Sequence, residues 1–144
     1  MQYLLKSILL AVITALAITL TITPAQAQSR SRVLANIPFE FSVGNTVLRA
    51  GNYTIDELQS GIVAFSSEDE KEHKFALMYP GDSDKQGQKP QLVFDRYGSE
   101  TFLKSVVFSG TDDSLELPKS NRERDLIKSQ TAGGEFSLLI QPAH

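Results

Sequence analysis

Apolar and polar positions alternate along most of the chain after residue 32. Val33, Ala35, Ile37, Phe39 and Phe41 fall on one side of an extended segment, and Leu34, Asn36, Pro38 and Glu40 on the other. A period of two sets one face against a core and the other toward water, the mark of a half-buried strand. Pro38 has no N–H to give to a ladder, so the pattern predicts an edge strand over Val33–Phe41, or a strand with that N–H side facing water. Gly44-Asn45 suits a tight turn. Val47-Leu48-Arg49 then leads to a second turn at Ala50-Gly51-Asn52. Tyr53 to Leu58 alternates again, Ser60-Gly61 turns, and Ile62 to Phe65 is apolar. The charged run Glu68 to Lys74 reads as a solvated loop, followed by the apolar run Phe75 to Tyr79.

Pro80 to Pro90 is the clearest loop, rich in Gly, Asp and Pro. Gln91 to Phe94 and Thr101 to Phe108 return to strand composition, with a turn at Tyr97-Gly98-Ser99 between them. Ser120-x-x-Glu123 is a capping-box signature and predicts a helix from Asn121 to Gln130. Only Leu126 and Ile127 are apolar on it, so it belongs on the surface. Gly133-Gly134 ends that segment, and Glu135 to Gln141 reads as a last strand. Seven or eight short strands with one late helix predict an all-β fold, an antiparallel β-sandwich or small β-barrel with one short α-helix toward the C-terminus. No βαβ alternation is present, which argues against a dinucleotide-binding sheet.

The N-terminus follows a different rule. Met1 to Ser7 carries Lys6 and no acid, Ile8 to Ile22 is apolar apart from three threonines, and Thr23-Pro24 breaks a helix. Ala25 and Ala27 then offer the small residues that a signal peptidase accepts, with Gln28 as the first mature residue. A spanning helix needs about 20 apolar residues, more than this run supplies. Residues 1–27 therefore read as a signal peptide and residues 28–144 as a single β-rich domain, exported to the periplasm or secreted. After cleavage no membrane span is expected.

Composition narrows the chemistry. The chain has no cysteine, so disulfide staples, a lipidated thiol, zinc–thiolate sites and cysteine nucleophiles are excluded. Removing residues 1–27 takes away Lys6 and no acid, moving the net charge from −3 to −4. A mildly acidic domain without a basic patch repels phosphate backbones, so nucleic acid is not an expected partner.

Candidate sites are few. Asp82-x-Asp84-x-Gln86-Gly87 resembles the opening of a calcium loop, but Val93 stands where the bidentate carboxylate is needed. A polar loop is the plainer reading. His73 lies in a charged run and His144 at the chain end, neither placed for a catalytic triad or a helical metal pair. Glu68, Asp69, Glu70, Glu72, Asp112, Asp113 and Glu116 offer carboxylates for a hydrolase, or simply surface charge. Asp95-Arg96-Tyr97-Gly98 draws most notice: Arg96 beside Tyr97 could grip a carboxylate. The alternative is structural, with Arg96 paired to Asp95 or a neighbour and Tyr97 packed on the sheet rim. No cofactor is implied.

Two stretches carry a resemblance. One is Asn36-Ile37-Pro38-Phe39-Glu40-Phe41-Ser42-Val43-Gly44-Asn45 with Leu48-Arg49-Ala50-Gly51-Asn52-Tyr53-Thr54. The other is Leu92-Val93-Phe94-Asp95-Arg96-Tyr97-Gly98, then Phe102-Leu103, then Glu116-Leu117-Pro118-Lys119-Ser120 with Glu123-Arg124. Together they resemble a family of small secreted proteins of unknown function from soil bacteria of the acidobacterial kind. That family's L-P-A-G-x-Y turn is here Leu48-Arg49-Ala50-Gly51-Asn52-Tyr53, without the proline. The resemblance implies export and assigns no chemistry. The expected role is a non-enzymatic exported domain that binds a protein or an envelope component, docking along the Val33–Phe41 edge. The alternatives are a carrier of small apolar ligands in a barrel cavity and a carboxylate-dependent hydrolase.

Overall fold

The computed structural model describes residues 31–59, 61–81, 89–108 and 114–143. The leader with Ala25, Ala27 and Gln28, the Asp82–Gln88 loop, Asp112, Asp113 and His144 lie outside the described residues.

The first strand, β1 (Arg32–Ile37), keeps its expected alternation: Val33, Ala35 and Ile37 are buried, and Leu34 and Asn36 are exposed. It ends earlier than the alternation predicts. The chain leaves β1 at Pro38 and re-forms as β2 (Phe41–Val43) in a different sheet. Proline cannot donate to a ladder, so it marks the crossing between sheets rather than the middle of one long strand. Gly44, at φ 62°, turns β2 into β3 (Thr46–Leu48).

β4 (Gly51–Gln59) and β5 (Ile62–Ser67) form the next hairpin. Gly61 is required there. Its φ is 82°, and a Cβ would stand 2.6 Å from the Met78 carbonyl oxygen. The Met78 N–H in turn donates to the Gly61 carbonyl at 2.7 Å. β6 (His73–Leu77) follows a charged turn, and Met78 carries the chain across to β7 (Tyr79–Pro80). β8 (Gln91–Tyr97) and β9 (Glu100–Val107) pair through a bulge at Val93/Phe94, and β10 (Ser114–Glu116) pairs with both β9 and β7. After the helix α1 (Asn121–Lys128), β11 (Gly133–Leu139) and β12 (Gln141–Pro142) close the chain.

Among the described residues the fold is all-β with one short helix. One sheet runs β12-β1-β4-β5-β6. The other runs β11-β8-β9-β10-β7, with β2 on β9 and β3 on β2. Every ladder is antiparallel except the single β2–β9 pairing at Ser42 and Phe102. The sheets curl over a shared core in a sandwich-like half-barrel. Phe41, Phe65, Phe94, Phe108, Ile37, Ile55 and Met78 fill it with side chains under 2 % exposed. Each such chain contributes roughly 1.5–3 kcal/mol by leaving water. That burial replaces the disulfides the sequence lacks.

The helix ends as the capping rules require, though not with the expected residues. Ser120 Oγ accepts the Glu123 N–H at 3.1 Å, as the capping box predicts. The reciprocal bond is replaced, because the Glu123 carboxylate accepts from Lys119 instead. The helix stops at Lys128, two residues short of expectation. Gln130 takes φ 56°, while the Gln130 N–H reaches Ile127 O and the Thr131 N–H reaches Leu126 O. That is the paired closure that ends a helix in a left-handed residue. Gly133 and Gly134, expected to end the segment, instead begin β11.

The edge expectation is corrected in the same way. β1 lies between β4 and β12, so its N-terminal half is not an edge. β12 covers it only at Val33 and Leu34, and from Ala35 to Ile37 no strand among the described residues lies on that side.

Candidate functional site

The Asp95-Arg96-Tyr97 cluster is split by the strand that carries it. Side chains alternate along β8, so Arg96 points to one face and Asp95 and Tyr97 to the other. Asp95 is buried, and its partner is Lys119, at 2.9 Å, rather than Arg96. Lys119 Nζ also lies 2.7 Å from Glu123 Oε1 and 3.4 Å from the Tyr97 hydroxyl. Burial alone would lower the Lys119 ammonium; hydrogen bonds to Glu123 and Asp95 outweigh it and hold it above the usual lysine range. This network ties the helix to the sheet. Arg96 lies instead over two rings, 5.7 Å from the Phe39 centroid and 4.9 Å from that of Phe136, with Nε 3.4 Å from Thr101 Oγ1. Arg96 and Tyr97 therefore do not grip one ligand together.

A groove on the five-stranded sheet has more of the character of a binding site. It encloses about 530 Å³ where β1 loses its β12 neighbour, and the crossing Leu139–Gln141 forms its far wall. Leu34 and Leu139 give it apolar sides, 49 % and 66 % exposed. Across its floor runs a polar ladder from β1, β4 and the turn that follows β5. Asn36 Nδ2 donates to Asn52 Oδ1 at 2.5 Å, and Asn52 Nδ2 donates to Glu68 Oε2 at 2.6 Å. The register sets this row, since Asn36 and Asn52 are Cα partners and the Glu68 N–H donates to the Asn52 carbonyl. The ladder leaves the Asn36 carbonyl oxygen and one carboxylate oxygen of Glu68 for a ligand.

A second depression of about 350 Å³ adjoins it through Asn52, Tyr53 and Glu68. Arg49 and Glu72 face each other there at 2.8 Å, and the Tyr53 hydroxyl is 2.7 Å from Glu72 Oε2. Hydrogen bonds from Tyr53 and then Arg49 hold the Glu72 carboxyl below its ordinary range. Asp69 is pulled down to about 2, first by Ser67 and then by Lys71. Its lining sets Glu68, Asp69 and Glu72 against Arg49, so cations are favoured over anions.

The remaining candidates are placed simply. His73 Nδ1 is 3.1 Å from Ser66 Oγ and Nε2 is 3.1 Å from the Glu70 carbonyl, on the exposed side of β6. Among the described residues no group of three His, Asp or Glu converges as a metal site. Nor is any helix among them long and apolar enough to cross a membrane. Asn36, Asn52 and Glu68 were not visible as a set in the sequence. They lie 16 residues apart in turn, and only the strand register joins them.

What fold and site define is a class, an all-β domain with an open amphipathic groove at a partly uncovered strand. No protein-family model, curated protein or solved structure matches the chain.

Proposed function

We propose that this is an exported, non-enzymatic binding domain, and that the groove beside β1 receives an extended segment of a partner protein or envelope-linked peptide. The observation that carries the reading is the combination at β1. An uncovered strand edge from Ala35 to Ile37 lies next to a polar ladder and two apolar walls. An extended peptide uses these three features together, its backbone pairing with the edge and its alternate side chains entering the groove. The acid-rich neighbouring depression favours a segment with a basic residue. Export rests on residues 1–27 and their small-residue cleavage signature.

The two alternatives find less support. An apolar carrier needs interior room, and large side chains occupy the space between the sheets. A hydrolase working through paired carboxylates needs one acid held protonated near neutral pH. The displaced carboxyls Asp69, Glu72 and Glu100 all move downward instead.

Selection of a displayed random-peptide library on the mature chain tests the reading. Enriched peptides should bind the wild type and lose at least tenfold in affinity to Leu139→Glu or Asn52→Leu. Peptides that bind both variants as well as the wild type would remove the groove from the account.

A further inference from the structure

Arg96 differs from its counterparts. Arg32, Arg49 and Arg122 each meet a carboxylate, of Asp56, Glu72 and Glu100. Arg124 reaches the Asn121 side-chain oxygen. Arg96 has no carboxylate among the described residues, in a chain with 17 acids. Its guanidinium is nonetheless held in place, by the Phe39 and Phe136 rings and by Thr101 at Nε. With the rings against the guanidinium and one bond at Nε, the two terminal nitrogens have no hydrogen-bond partner among the described residues. That is the fork that meets a planar two-oxygen group.

The neighbouring strand keeps the approach open. Gly134 is the register partner of Arg96 across the β11–β8 ladder, so a side chain at 134 would stand beside the guanidinium. Backbone geometry does not require glycine there, because Gly134 is not among the positive-φ residues. Packing does not require it either, since a Cβ would meet nothing within 4 Å. Gly133 is different: a Cβ there would stand 2.7 Å from the Tyr97 ring. The result is an open depression of about 310 Å³ bounded by Arg96, Gly98, Ala132, Gly133, Gly134, Glu135 and Phe136, in which Glu135 is the partner of Asp95 in the ladder and its carboxylate is paired with Lys104. We propose that Arg96 is a carboxylate-binding site, with Gly134 as its entrance and the Phe39–Phe136 pair as the apolar support for the ligand's adjoining carbon groups.

The site stands apart from the β1 groove, so the two readings succeed or fail separately. The test is an NMR titration of the mature chain with phenylacetate, with phenylacetamide as the uncharged control. Phenylacetate should move the Arg96 Nε–H and the Gly133 and Gly134 amide signals saturably, and phenylacetamide should not. Arg96→Gln should abolish the shifts while leaving signals in the β1–β4 ladder in place. Gly134→Glu should also abolish them, by putting an internal carboxylate beside the guanidinium, and it leaves Arg96 itself intact. Equal shifts with acid and amide, or an unaltered response in Gly134→Glu, would overturn the proposal. So would tighter binding of inorganic phosphate at the same signals, which would make the site a phosphate site.

Discussion

The Tyr53 hydroxyl has one proton and two acceptors, the Arg49 carbonyl at 2.8 Å and Glu72 Oε2 at 2.7 Å. The charged oxygen is the stronger acceptor, so Tyr53 anchors the charged turn to β4 and Glu72 in turn holds Arg49. Removing the hydroxyl from a side chain 2 % exposed leaves the packing intact and deletes the bond. Tyr53→Phe should lower stability by about 1 kcal/mol at neutral pH, read from urea midpoints. A midpoint equal to that of the wild type would mean the bond contributes nothing. The pH dependence follows from the same group. Glu72 and Asp69 have folded pKa values below their unfolded ones, so their stabilisation is fully present above the ordinary carboxylate range. It is lost as pH falls through the folded values. Stability should be level above about pH 5 and decline between about pH 4.5 and 2. In Tyr53→Phe the acid loss should be smaller and should be complete at a higher pH, because the largest cause of the Glu72 depression is gone.

At the scale of elements, α1 is tied to the sheet by the Arg122–Glu100 ion pair to β9 and by Lys119. Asp95 and Glu123 present side chains 12 % and 6 % exposed, and Lys119 bridges them. Breaking a fully buried pair costs about 3–5 kcal/mol. Lys119 itself is 43 % exposed, so solvent screens part of that, and Lys119→Met should cost about 1–2 kcal/mol. Adding Asp95→Asn and Glu123→Gln should recover most of it, because no buried charge is then left alone. A triple variant weaker than the single one would show that the lysine's packing mattered more than its charge. Here the sequence was only half readable. Ser120 and Glu123 announced the helix start, since a cap is local chemistry. The use of Glu123 was not announced, because its partner Lys119 also serves a strand 24 residues away. The helix end was misplaced for a related reason. Glycine is the usual sign of a left-handed stop, and Gln130 fills that role here.

Across the whole molecule, alternation located β1 and β4, because a two-residue period reports directly which side meets water, and apolar runs between turns located β5, β8 and β9. It did not report which strands are neighbours. The break at Pro38, the transfer at Met78 and the short strands β7 and β10 depend on the other sheet being there to receive them. The β1 groove belongs to the same category, since its ladder is assembled from two strands and a turn and its wall from the β11–β12 crossing. Arg96 could be singled out by type, but the opposite facing of Tyr97 and the vacant position at Gly134 emerged only with the register. The account rests on a filled interior and on the proposal that residues 1–27 are a removable leader. Native mass spectrometry of the protein recovered from outside its producing cell tests both together. The account predicts the mass of residues 28–144, free of any small apolar adduct. The full-length mass would contradict the proposed removal of the leader, and a retained apolar molecule released only on unfolding would contradict a domain that works through its surface.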